Sequence, residues 1–401
     1  MIIFYSLRSF HQSAELNANI PDDDIVGDNP WTSKHIVDML CPPIEETGNP
    51  VQCYPVPGYP LGITASWEPV QEGSGDPSPD NIRPIKGRDS VMVTRCGKNL
   101  IDISSVVGGI ISGLIFEKSK EGIYVHGTAN ANSYITLMGG YNTSDFGYPK
   151  FLEPGKTYAT NARVALYIYY SDGSTATVKN KTSFTAPSDI GVKTFGIFLF
   201  FESGESVDKT FQPMLMLGDT LPAEYIPYQS DTATLSLPET VYCGNVDIAI
   251  GTGQKEWELI TLTGTEPWSI ATTGDYYVWW AYSNIPTTAD INVGLCSHYK
   301  YQTNKNFEQS LNVQPNGAVV AWHVNDTFES VEDWKAYLAS QYAAGTPVQI
   351  AYKLATPTTF QASGGKGMSA LSDINTILTD ADSLVITGRK DPVRLLTGLD
   401  A

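Results

Sequence analysis

The chain has 401 residues, with 25 Lys and Arg against 43 Asp and Glu, a formal net charge of −18, and 17% charged against 42% hydrophobic residues. This acidic balance repels phosphate backbones and disfavours broad contact with nucleic acid. No apolar run approaches the ~18 residues that a membrane span needs, so no membrane insertion is expected.

The opening Met1-Ile2-Ile3-Phe4-Tyr5-Ser6-Leu7-Arg8 has no basic stretch ahead of a long apolar run, so no secretory signal is expected. Residues 1–66 read as an N-terminal docking or attachment segment. Asp22-Asp23-Asp24 and Asp28-Asn29-Pro30 mark loops. Ser33 to Leu40 predicts one short helix, capped by Ser33, striped by Ile36, Val37 and Leu40, and stopped by Pro42-Pro43. A helix this short needs tertiary support. Residues 67–90 form a connector in which Pro69, Pro77, Pro79 and Pro84 each fix φ and remove a ladder donor. With the Gly73-Ser74-Gly75 turn, this predicts a rigid, irregular link.

Residues 91–232 read as a β-sandwich. Ser133–Leu137, Val164–Tyr170 and Thr194–Phe201 are rich in β-branched and aromatic residues, and turn signals at Glu153–Lys156, Ser171–Ser174 and Glu202–Glu205 separate them. The strand around Phe195 is apolar on both faces and is expected to be central. Residues 233–360 form a second β-rich domain. Val241–Ile248 and Glu256–Leu262 predict a hairpin, and Gly274–Tyr282 another strand. One helix interrupts at about 330–343, where Ser330 with Asp333 resembles a capping box, Val331, Trp334 and Leu338 share a face, and Gly345 and Pro347 end it. Residues 361–401 form a C-terminal segment whose strand, Ser383–Thr387, must pair with an earlier sheet or a neighbouring subunit. The predicted fold class is mainly β: tandem β-sandwich or jelly-roll domains, an N-terminal docking segment and a few short helices.

The cysteines, Cys41, Cys53, Cys96, Cys243 and Cys296, are odd in number and contain no Cys-x-x-Cys pair. They predict buried free thiols rather than a disulfide framework or a zinc site. Cys296 and His298 lie two residues apart on one strand face, but no third group is identifiable to orient them. They read as a buried cysteine beside a surface histidine. Asp380 and Asp382 read as a solvated turn rather than a glycosidase pair. No nucleophile-elbow, zinc-protease or phosphate-loop motif is present; Asp or Asn oxygens in the jelly roll could hold a structural calcium, an alternative that stays open although no EF-hand loop supports it. No catalytic residue, metal or cofactor is therefore expected.

A binding function rests on the 22 tyrosines and 8 tryptophans, because aromatic rings stack on the apolar faces of sugars. In the strand Tyr276–Tyr282, alternation puts Tyr276, Val278, Trp280 and Tyr282 on one face and Tyr277 with Trp279 on the other. One face must be core, and the other is a glycan platform or a subunit contact. The candidate carbohydrate-binding residues are Tyr167, Tyr169, Tyr277 and Trp279.

The phrase Pro69-Val70-Gln71-Glu72-Gly73-Ser74-Gly75-Asp76-Pro77-Ser78-Pro79-Asp80-Asn81-Ile82-Arg83-Pro84-Ile85, followed by Gly97-Lys98-Asn99-Leu100-Ile101, resembles minor tail structural proteins of phages and prophages of Gram-positive gut bacteria. Leu237–Gly244, Gln341–Val348, Leu354–Pro357 and Asn375–Ser383 match the same pattern in order. Phe211–Gly218 with Tyr225-Ile226-Pro227-Tyr228 resembles the last strand and exit of a carbohydrate-binding-module-like jelly roll. The resemblance implies a virion component of the tail tip, baseplate or fibre, made in the bacterial host's cytoplasm. It further implies a homotrimer that contacts other tail or baseplate proteins and attaches to host-surface polysaccharide as a receptor-binding element. It assigns no individual sugar-contacting residue. A free lectin-like carbohydrate-binding protein and a tail-associated glycan hydrolase remain as alternatives, the latter requiring a carboxylate pair in a cleft.

Overall fold

A computed structural model describes residues 41–390, except 120, 139–151, 154, 162, 171–172, 187–191, 273–275, 283–284, 289, 303–308 and 325–326. The helix expected at 33–40 lies outside the described residues. The fold is mainly β, in several sheets. Pairing is antiparallel apart from one short parallel contact between Lys300–Tyr301 and Ser310–Val313. One helix, α1 (Val331–Ala343), is present among the described residues.

Three sandwich-like cores organise these strands. The first takes strands from both ends of the chain. One sheet runs in the order Pro43–Gly48, Ser383–Arg389, Pro60–Trp67, Gly244–Asp247, Thr252–Thr261, Gln349–Gln361, Gly294–Cys296. The facing sheet runs Ser230–Val241, Arg88–Cys96, Asn375–Thr379, Val51–Cys53. Period-two burial explains the packing: Leu61, Ile63, Ala65 and Trp67 alternate inward along one strand and meet Val91, Val93, Leu235, Leu384 and Ile386. The boundaries expected at 66 and 361 therefore do not separate structural units. Pro43–Gly48 and Pro60–Trp67 flank Ser383–Arg389 in one sheet, with Pro43 opposite Arg389 and Gly62 opposite Thr387. The strand at 383–387 finds its partners within the same chain.

The second core is a sandwich within residues 97–228. Its four-stranded sheet runs Ser133–Met138, Val192–Phe201, Val164–Tyr170, Thr175–Val178. A second four-stranded sheet contains Gly122–Thr128, and a three-stranded sheet is centred on Thr157–Thr160. Leu114, Ile123, Ile135, Leu166, Ile197 and Leu199 fill the space between them. Val192–Phe201 pairs on both edges and buries both faces, with Ile197, Leu199 and Phe201 inward and Phe198 and Phe200 on the other side.

The third core lies between the far end of the long sheet and the sheet holding Tyr276–Tyr282 and Ala318–Val324, and α1 packs into it. Ser330 Oγ accepts from the Asp333 N–H at 3.1 Å and donates to the Asp333 carboxylate at 2.7 Å, so the cap closes as its sequence predicts. Trp334 is fully buried, with ring centroids 5.5 Å from Trp268, 6.1 Å from Trp279 and 5.3 Å from Phe328.

The cores are fused. Thr252–Thr261 and Gln349–Gln361 pair along both the first and the third: Phe360 packs on one, Ile350 and Tyr352 in the other. Their register shifts between Lys255 opposite Thr358 and Trp257 opposite Lys353, next to Pro357, which has no N–H to donate. Cys96 and Leu378, on strands of the first sandwich, join the second core. The connector is also built in. Val70–Gln71 pairs with Ile85–Lys86, and the Arg83 guanidinium donates to the carbonyls of Gln71, Glu72, Gly73 and Gly75 at 2.6–3.2 Å. Gly73 and Gly75 take left-handed φ of 86° and 77°, which turns those carbonyls toward one point.

Candidate functional site

Tyr167 and Tyr169 share one face of the strand Val164–Tyr170, and both are half-buried. This is the outer face of the four-stranded sheet. Tyr167 meets Phe198 edge-on at 5.3 Å and Tyr134 at 5.8 Å, above fully buried Phe198 and Phe200. The Lys179 ammonium lies 3.9 Å from the Phe200 ring centroid, a cation–π contact. The rings thus pack largely on one another.

Trp279 is a correction. It is 0% exposed and packs in the third core against Trp334 and Phe328, so it presents no face to a sugar. Helix α1 and its aromatic stripe cover that face of the strand. The Tyr277 side chain lies outside the described residues. The structure therefore brings Tyr167 and Tyr169 together and places Trp279 in a different core.

His298 is a second correction, since it is fully buried rather than at the surface. Its Nδ1 lies 2.8 Å from Ser297 Oγ, which also accepts from the Gln349 N–H at 2.8 Å. Burial lowers the His298 pKa and pushes the Cys296 thiol up to about 12, so both groups are held neutral. Cys53, Cys96 and Cys243 are buried free thiols as well, while Cys41 is half-buried. Asp380 accepts from the Met92 N–H at 2.8 Å, and Asp382 from the Glu68 N–H at 2.7 Å. Each carboxylate ties a turn to a neighbouring strand. Among the described residues no group of three His, Cys, Asp or Glu side chains converges to hold a metal.

A polar cleft of about 670 Å³ opens beside the junction of the first and second cores. Asp102 and Ser104 line it from one loop, Lys118 and Ser119 from a strand end, Tyr225 and Pro227 to Ser230 from the exit segment, and Leu371 from the C-terminal part. Its walls are tied down. Asp102 accepts from the Ser104 N–H at 2.7 Å, and Lys118 donates to the Ser104 carbonyl at 2.6 Å. Beneath them Asn99 is 0% exposed and satisfies both ends of its amide. Nδ2 donates to the carbonyls of Ile226 and Pro213 at 2.9 and 3.2 Å, and Oδ1 accepts from the N–H groups of Ile101 and Leu215 at 3.1 Å each. Lys98 and Asp373 pair at 2.6 Å across the junction. No motif in the sequence marks these cleft residues as a site. Gly97–Ile101 and Tyr225–Tyr228, which stand out as phrases, are the signal that lies nearest to them. A second hollow, about 450 Å³, is lined by apolar Val107, Ile110 and Phe116 with Tyr134.

A scan against protein-family models found no match, and searches of curated proteins and of solved structures returned no similar protein.

Proposed function

We propose that the chain is a structural component of a phage tail, in the tip, baseplate or fibre, that attaches the virion to glycan on the host surface. The family-like phrases at 69–85 and 97–101 support this reading, and one observation carries it: the three cores share strands and side chains instead of hanging on flexible linkers. A body built this way passes a contact made at one core to the others. Among the described residues its long sheet ends on the edge strand Pro43–Gly48, which a copy of the same chain would cover in a homotrimer. Other tail or baseplate proteins are its further partners. Attachment is weak per site and strengthened by several copies on one particle. The reading is non-enzymatic: it works by adhesion.

Sedimentation velocity at micromolar concentration tests the assembly. The expected species has three times the chain mass, and monomer alone argues against the proposal. Co-sedimentation with purified Gram-positive cell walls tests attachment, and electron microscopy of the particle locates the chain.

A further inference from the structure

We propose that the polar cleft beside the junction of the first two cores binds a neutral saccharide of one or two rings, an inference that rests on the glycan-attachment reading. The cleft's volume, about 670 Å³, falls within the range of small-ligand sites. A sugar ring offers an apolar C–H face and a rim of hydroxyls, each both donor and acceptor. The cleft offers the complement. Tyr225 is half-buried on its wall, and its hydroxyl makes no hydrogen bond to another described residue. It supplies a ring with a polar tip. Asp102 and Lys118 bring opposite charges, so the lining has no net preference for a charged sugar. At longer range the chain's charge of −18 repels acidic ones. One Asp102 oxygen, the remaining Lys118 hydrogens and the Gln229 side chain can meet hydroxyls, while the Ser119 hydroxyl is held by the Gly122 carbonyl and the Glu121 N–H. Asn99 fixes the exit segment against the 99–101 loop, so the walls are in place before a ligand arrives, which lowers the ordering cost of binding.

The test is saturation-transfer NMR on the full chain with glucose, galactose, rhamnose and N-acetylglucosamine at millimolar concentration, alongside cell-wall co-sedimentation. At least one sugar is expected to bind, with Tyr225→Ala weakening it about tenfold and Asp102→Asn also weakening it, while Glu332→Gln, exposed on α1 and far from the cleft, leaves it unchanged. If Tyr225→Ala lowers the thermal midpoint, Asp102→Asn and Tyr225→Phe decide: weaker binding in Asp102→Asn supports the cleft, and unchanged binding in both overturns it. Binding that survives in Tyr225→Ala and is lost in Tyr167→Ala overturns the cleft and leaves the attachment reading standing. A wild-type chain that sediments with cell walls but binds none of the four sugars also overturns the cleft alone. One that does neither overturns both.

Discussion

Arg83 donates to four main-chain carbonyls within five residues, and a lysine ammonium cannot reproduce that planar fork. Arg83→Lys is expected to cost about 1 kcal/mol, and Arg83→Ala somewhat more, read as a lower urea midpoint at unchanged slope. Prolines made the connector's rigidity legible. The staple was not, because side-chain-to-backbone bonds across eight to twelve residues leave no periodic mark. Asp231 gives a pH dependence. The hydrogen-bonded Lys366 ammonium and the Arg95 guanidinium, at 3.1 Å, hold its carboxyl below the ordinary 3.8. A depressed folded pKa contributes stability that is fully present above the unfolded value and lost as pH falls through the folded one. Between about pH 5 and 2, the thermal midpoint of the wild type should therefore fall more than that of Asp231→Asn.

At the scale of elements, α1 was the most legible. Ser330, Asp333, Gly345 and Pro347 are local signals, and the helix lies where they put it. Ser330→Ala is expected to cost about 1 kcal/mol, and Trp334→Ala about 3–5 kcal/mol because the indole sits among Trp268, Trp279 and Phe328. Thermal unfolding followed by circular dichroism measures both. The aromatic strand Tyr276–Tyr282 was legible as a strand but not as to which face is core. Alternation divides its residues into two sets, and only the packing of α1 decides that Trp279 belongs inside. The cleft was illegible for a related reason. Its wall residues come from four stretches of chain that fold together through Asn99, the Lys118–Ser104 bond and the neighbouring sheets.

Across the whole molecule, the β class was visible in composition and turn spacing, whereas the grouping of strands was not. Register between residues more than three hundred positions apart, such as Asn49 with its amide on the Thr379 and Ala381 carbonyls, has no local signature. Cutting the chain at 66 and 361 follows the sequence, but the sheet joins those pieces. Because strands and core residues are shared, scanning calorimetry should show one cooperative transition rather than three separable ones, with van't Hoff and calorimetric enthalpies in agreement.

The pairing of Pro43–Gly48 with Ser383–Arg389 also sets the mechanics of the molecule. Pro43 faces Arg389 at the end of the ladder nearer the termini and Gly48 faces Leu384 at the far end. Tension applied between the two termini would draw along the hydrogen bonds and part them one pair after another, like a zip. In optical tweezers, pulling by the termini should open this ladder at lower force than pulling from one terminus against a handle in the central sandwich. A protein that holds firm only in the second geometry can be tethered at either end, but not strung between both.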